Sequence, residues 1–248
     1  MADKLLNRFE NIIVYSPHYD DAFLSLGGIL FKLKGNIKIT IVILFGRSSY
    51  LNKEVLPYNK SAIVSQIRLQ EENINVNRIC GKLIVFNNNE SFLRGYKMKR
   101  EGEIRYPSQL IESDYEFREK LEKQVIKILK SDKLKTLHLF PMGIGNHVDH
   151  VLVNMIGKKL QHDYYISYYE DQPYVSKHII NYNFFDDYFE EVTPVRVENK
   201  IKSILNYKSQ YAYEWIGDIL RYMSSINGYE NLFVERIWTD KNSRFFRY

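Results

Sequence analysis

Short apolar runs alternate with longer amphipathic stretches along the first two thirds of the chain. Residues 11–16 (NIIVYS) form a β-branched run that enters Pro17, the pattern of a buried strand ending at a loop. Residues 22–34 (AFLSLGGILFKLK) place apolar side chains at helical spacing, with Gly35 positioned to cap the helix end. Residues 38–45 (KITIVILF) read as the next strand, followed by a long polar loop to Asn59. A second helix is expected over residues 61–79 and a third strand over 83–86, after which residues 87–112 show no clear period. Ser113 and Glu116 make a capping-box pattern that opens a helix through about Leu129. Residues 134–140 (LKTLHLF) are the fourth strand, and the loop PMGIGNHVDH leads to a helix from about Val151.

This β-α-β-α-β-α-β-α order predicts an α/β fold, a Rossmann-like three-layer α/β/α arrangement around a mainly parallel sheet. Any active site belongs in the loops at the carboxyl ends of the strands. Past residue 163 the pattern is less regular. A Tyr-rich strand (164–169), an EDQPY loop, a helix, a strand near 189–195 and a helix over 196–210 are expected. Residues 1–248 are read as one domain, with 164–248 as a C-terminal elaboration walling the active site.

Composition narrows the class. Of 248 residues, 45% are apolar and 26% charged, ordinary globular usage that excludes a disordered or fibrous chain. The N-terminus lacks the apolar core of a signal peptide, and residues 39–45 are too few to span a bilayer, so a cytoplasmic protein without a membrane span is expected. The single cysteine, Cys80, reads as a small buried residue in a helix-to-strand turn. The net charge of +5 invites an anionic partner, but the basic residues are scattered among acids, as over residues 97–105 (KMKREGEIR), and no nucleic-acid partner is expected. Twenty tyrosines suit a carbohydrate groove and suit half-buried loops equally.

The chemistry lies in two loops. The first strand runs into Pro17-His18-Tyr19-Asp20-Asp21, and the fourth into a loop ending His147-Val148-Asp149-His150. Together they hold the parts of a catalytic metal site, which takes three protein ligands and leaves a position open for water. Adjacent side chains diverge, so one aspartate of the pair can bind while its neighbour faces the water. Taken alone, each motif is also an ordinary helix start, with Asp21 as a capping carboxylate. Their joint placement after parallel strands favours the site.

These motifs resemble the PIG-L/LmbE-like family of metal-dependent N-deacetylases, whose signature joins a P/A-H-P-D-D-E loop to a later H-P/V-D-H. Secondary similarities lie at Gly27-Gly28, at Arg68 with Glu71, and at Lys200 with Tyr207, Ser209 and Gln210. The resemblance implies metal binding by His18, Asp21 and His150, with Asp20 as the general base. It implies that His147, oriented by Asp149, stabilises the oxyanion as a cation and acts as an acid. The implied cofactor is Zn2+, with Fe2+, Co2+ or Ni2+ as alternatives. The implied substrate is a small N-acetylated amino sugar, from which acetate and a free amine are released. Tyr19 stands where the family has proline and Ala22 where it has glutamate, which predicts a less rigid loop lacking one acidic group.

Weaker signals keep two readings. Arg68 reaches the substrate or pairs with Glu71 or Glu72 on its own helix. Tyr168, Tyr169, Glu170, Asp171 and Tyr174 line a sugar pocket or form a plain turn, and Arg68, Tyr169, Glu170 and Tyr174 are the candidate substrate contacts. Gly27-Gly28 serve close helix-to-sheet packing, His138 is a core histidine, and His162 and His178 are surface residues. The rival function is a non-catalytic carbohydrate- or metal-binding protein on the same fold.

Overall fold

The computed structural model describes residues 5–51, 54–97, 110–131, 135–177, 185–210, 212–226, 228–229 and 231–243. The chain order is β1 (Asn11–Ser16), α1 (Asp21–Leu33), β2 (Lys38–Ile43), β3 (Tyr50–Leu51), β4 (Glu54–Val55), α2 (Ser61–Arg78), β5 (Lys82–Val85), α3 (Glu112–Ser131) and β6 (Thr136–Pro141). There follow α4 (Val148–Leu160), β7 (Ile166–Tyr169), α5 (Tyr174–Lys177), β8 (Tyr188–Pro194), α6 (Val197–Ile204), α7 (Ile216–Ser224) and β9 (Val234–Asp240). Seven strands form one sheet in the order β5-β2-β1-β6-β7-β9-β8. The first five run parallel, and β9 pairs antiparallel with both β7 and β8.

Strand alternation sends each face of the sheet into its own apolar cluster. Ile12 and Val14 pack with side chains of α1, α2, α6 and α7, whereas Ile13 and Tyr15 pack with α3 and α4. This is the expected three-layer α/β/α architecture. Central strands β1 and β6 are buried along their whole length, which is why they read as continuous apolar runs rather than alternating ones.

Several boundaries differ from expectation for local reasons. The helix expected from Val151 begins at Val148, because the His147 ring accepts the Asp149 N–H at 3.1 Å and caps the first turn. The capping box is displaced: α3 begins at Glu112, and the Asp114 carboxylate, not Ser113, accepts the Ile111 N–H. The helix expected over 196–210 stops at Ile204 and resumes as a 3-10 turn, Lys208–Gln210, which Ser209 ties to Glu71 and Gln210 to the Tyr50 carbonyl. The strand β9 lies in a stretch that carries no sequence expectation. Leu134, His178 and most of the mixed-charge stretch 97–105 fall outside the described residues. Cys80 is exposed, correcting its expected burial, and takes a left-handed φ of 55° just beyond α2.

Gly27 packs closely against α6, and Gly28 against Val195 just beyond β8, where its N–H reaches Glu235 of β9. A Cβ on Gly27 would lie 2.6 Å from the Ser203 hydroxyl, and one on Gly28 2.6 Å from Val195. That closeness brings the fully buried Lys200 onto α1. Its Nζ donates to Glu235 at 2.6 Å and to the Leu24 carbonyl at 2.5 Å, while Glu235 accepts the Gly28 and Ile29 amides at 3.0 and 2.8 Å. Among the described residues, no helix is long and apolar enough to cross a membrane.

Candidate metal centre

The loop after β1 and the N-terminus of α4 meet at the carboxyl edge of the parallel sheet, because β1 and β6 are neighbours in register. His18, Asp21 and His150 converge there with their ligating atoms within 4.8 Å of one another. Asp21 Oδ2 lies 3.3 Å from His18 Nδ1 and 3.3 Å from His150 Nε2. The opposite nitrogen of each ring is held by a buried carboxylate: His18 Nε2 by Asp149 at 2.8 Å and His150 Nδ1 by Asp171 at 2.6 Å. A carboxylate behind each imidazole fixes its orientation and leaves the inner nitrogen facing a shared point, the usual support of a metal ligand. His150 Nε2 is buried without a hydrogen-bond partner, the orphan that a cation at that point would satisfy. The donor set and this unmatched atom fit a divalent metal with an open position.

The β1–α1 loop is tightly tied, contrary to the expected looseness from Tyr19. Ser16 Oγ donates to the His18 carbonyl at 2.8 Å and accepts the Ala22 N–H at 3.1 Å, and the buried Tyr19 hydroxyl donates to the Gly46 carbonyl at 3.1 Å. Asp20 sits at φ 99°, a strained value for a non-glycine residue, and its side chain makes no capping bond. Its backbone N–H donates to Glu72 at 3.1 Å, and Tyr207 donates to the same Glu72 oxygen at 2.7 Å. Although Ala22 occupies the glutamate position, α2 thus supplies a carboxylate to the loop.

Arg68 meets neither expected helix partner. It donates to the Tyr19 carbonyl and the Ser48 hydroxyl, both at 2.9 Å, and lies 3.5 Å from Asp20 and from Glu90. Glu71 is engaged by Ser209.

Charge in the cluster follows burial and pairing. Burial would lower both imidazoles, but the carboxylates outweigh it, raising His18 to about 9 through Asp149 and Asp21 and His150 to about 10 through Asp21 and Asp171. Burial pushes Asp20 up to about 8 against the pull of Arg68. Asp149 is held well below the carboxylate range, its burial overcome by Arg94 and His18. His147 falls well below 6.5, first through burial and then through the nearby His18. The Asp149 amide donates into His147 Nδ1, so the ring carries its proton on Nε2 and is neutral. This corrects the expected cationic His147. The Asp149 carboxylate, expected to orient His147, bonds His18, the Ser91 N–H and Arg94; it acts on the nearby His147 ring by its charge, and its hydrogen bond to that ring comes from the backbone N–H.

A cavity of about 350 Å³ opens over the cluster. His18, Asp20, Asp21 and His147 form its polar floor, and Tyr50, Phe92, Tyr174 and Trp215 are among its walls. Arg68 and Tyr174 line it, whereas Tyr169 and Glu170 do not. The Tyr169 hydroxyl donates to the Tyr15 carbonyl, and Glu170 is buried against Arg236, Tyr222 and Trp238. Asp171, expected only as a pocket-lining or turn residue, is the support of His150. Ser91 and Arg94 lie in a stretch without periodicity, and nothing local in the sequence marks them. His138 is a core residue within reach of the Tyr15 hydroxyl at 3.3 Å.

No protein-family model matches the sequence, and no curated protein matches it significantly. Solved structures do. A deacetylase of the teicoplanin biosynthesis pathway superposes with a TM-score of 0.73 at 17% identity, covering 92% of this chain and 96% of its own. The zinc inhibited form of a teicoplanin deacetylase gives 0.72 at 15% identity, covering 92% and 97%. N,N'-diacetylchitobiose deacetylase from Pyrococcus horikoshii gives 0.63 at 14% identity, covering 97% and 88%. Likeness at these identities concerns the fold, and the chain has the fold of these PIG-L/LmbE-type N-deacetylases.

Proposed function

We propose that the protein is a metal-dependent hydrolase that removes the N-acetyl group from an amino sugar. The observation that carries this reading is the orphaned His150 Nε2, aimed with His18 Nδ1 at Asp21 beneath the cavity. Fold alone does not assign a reaction; these residues point to it. A divalent cation held by them supplies Lewis acidity toward the amide carbonyl and lowers the pKa of water. Asp20, on the cavity floor beside Arg68, accepts the proton of the attacking water in its ionised form, and burial, by raising it to about 8, makes that form the stronger base. The neutral His147 donates its Nε2–H to the oxygen on which negative charge develops. Aromatic walls at Tyr50, Phe92 and Trp215 suit the apolar faces of a pyranose. Arg68 contributes by fixing the loop that carries Asp20, and Tyr174 by lining the sugar site.

The two histidines and one carboxylate suit zinc, and also ferrous iron, cobalt or nickel, with cellular supply deciding among them. Because a teicoplanin deacetylase is known in a zinc inhibited form, metal content is best measured without added zinc. About one equivalent of metal per chain, lost in His150→Ala, together with acetate release from N-acetylated sugars, is the expected result. Asp20→Asn should keep the metal and lose at least about a hundredfold in turnover. A metal-loaded protein that releases no acetate from any such sugar would move the non-catalytic binding reading to the front.

A further inference from the structure

The cluster offers two overlapping sets of metal-ligating side chains. Besides His18, Asp21 and His150, a second set of His18, His147 and Asp149 also places its ligating atoms within 4.8 Å of one another. The two sets share His18 through opposite nitrogens, Nδ1 toward Asp21 and Nε2 toward Asp149. A cation in the second set would consume the carboxylate that orients His18 and the histidine that faces the cavity.

The surroundings of the two carboxylates differ. Among the described residues the ion-pair contacts of Asp21 are to the two histidines, and Arg68 acts on it only as a more distant charge. The fully buried Asp149 already accepts the Ser91 N–H at 3.0 Å on Oδ2, and Arg94 Nη1 at 2.7 Å on Oδ1. Arg94 is itself immobilised. Its Nε donates to Asp114 at 3.1 Å, its Nη1 to the Asn89 carbonyl at 3.0 Å, and its guanidinium lies 5.1 Å from the ring centre of Phe45 and 5.0 Å from that of Phe117. Asp114 is braced in turn by the Tyr96 hydroxyl. A permanently charged, planar group is thus wedged against one ligand of the second set.

We propose that Arg94 selects which set holds the metal: it pins Asp149 as the acceptor for His18 Nε2–H, and its charge bars a cation from His147 and Asp149. The inference rests on the metal-centre reading above and goes beyond it by assigning a residue that controls stoichiometry. Arg94 is a positioning residue, acting through Asp149. Repulsion between a guanidinium and a divalent ion sharing one carboxylate is strong in a buried site, where screening is weak.

The test is zinc titration of the metal-free protein by calorimetry and equilibrium dialysis. Wild type should bind one ion and His150→Ala should lose it, while His147→Ala should bind one ion as wild type does. Arg94→Met should weaken the first ion at least about tenfold, as loss of a ligand's support does, and should admit a second ion. Adding His147→Ala to Arg94→Met should remove that second ion. Arg94→Lys, which keeps the charge but not the fork, should stay at one ion. One ion at wild-type affinity in Arg94→Met would overturn the proposal. So would a second ion in wild type or in Arg94→Lys that His147→Ala abolishes, and this arm stands even if Arg94→Met does not fold. Absence of any ion in wild type, or its retention in His150→Ala, would instead remove the metal-centre reading and this inference with it.

Discussion

Buried charge occurs on both flanks of α1, at its N-terminus around His18, Asp21 and His150, and along its middle around Lys200 and Glu235. The two regions are built on different principles. Lys200 and Glu235 match one to one, and their remaining valences are met by backbone groups of α1 itself. Nearby, Glu170 is held by Arg236, Tyr222 and Trp238, and the space beside them amounts to about 10 Å³, room for a water molecule at most. At the N-terminus, the histidines converge on one carboxylate, one ring nitrogen there is left without a hydrogen bond, and the cluster opens into about 350 Å³. Perturbed charge is therefore a poor mark of function when taken alone. Unmatched valence facing open space is the better one.

The largest effect that would break this comparison is the pH dependence of metal binding. His18 and His150, raised to about 9 and 10, are protonated at neutral pH, so a metal must displace their protons. Apparent zinc affinity should rise with pH by up to about tenfold per unit for each proton released, or about 10⁴-fold from pH 6 to 8 for two. A flat profile in a competition titration would place the ion elsewhere. Without metal the sign reverses: these raised values stabilise the fold below pH 6.5, and that contribution fades as pH climbs through 9 to 10.

Next comes Lys200→Met, which strands a buried Glu235 and should cost about 3–5 kcal/mol in denaturant unfolding. Zinc affinity per folded molecule should change little, and its collapse in a stable variant would show that the two regions are not separate. Asp171→Asn should do the converse, lowering zinc affinity about 10–100-fold through His150 while leaving most of the stability intact. The smallest effect is Tyr222→Phe, which removes one donor to Glu170 and should cost about 1 kcal/mol with metal binding unchanged.

What was legible in the sequence follows from how locally it is encoded. β1, α1 and β2 are continuous, and His18, Asp20 and Asp21 fall within four residues where β1 passes into α1, so strand, loop and candidate site are visible in one window. His147 and His150 are equally visible, but the helix start was misplaced because a histidine ring provides the cap. Arg94, Glu72 and Asp171 act on the site from a 3-10 turn, the interior of α2 and the end of β7, and only sheet register brings them there. Glu170 and Tyr169 show the opposite failure: beside Asp171 in sequence, they are buried away from the cavity, Tyr169 bonded to the Tyr15 carbonyl and Glu170 paired with Arg236. β9 has no distinctive neighbour in sequence, and its importance appears only when Glu235 is seen on α1.

That contact has a consequence for the order in which the protein matures during synthesis. Glu235 comes from a strand made more than two hundred residues after the helix it completes, and β8 has no partner in the sheet until β9 arrives. A ribosome-bound chain that has emerged only as far as α7 carries His18, Asp21 and His150, yet Lys200 is buried without its counter-charge. Such a nascent chain should lack much of the stability of the complete sheet until β9 has emerged, so folding of the first helix's surroundings waits on a strand distant in sequence.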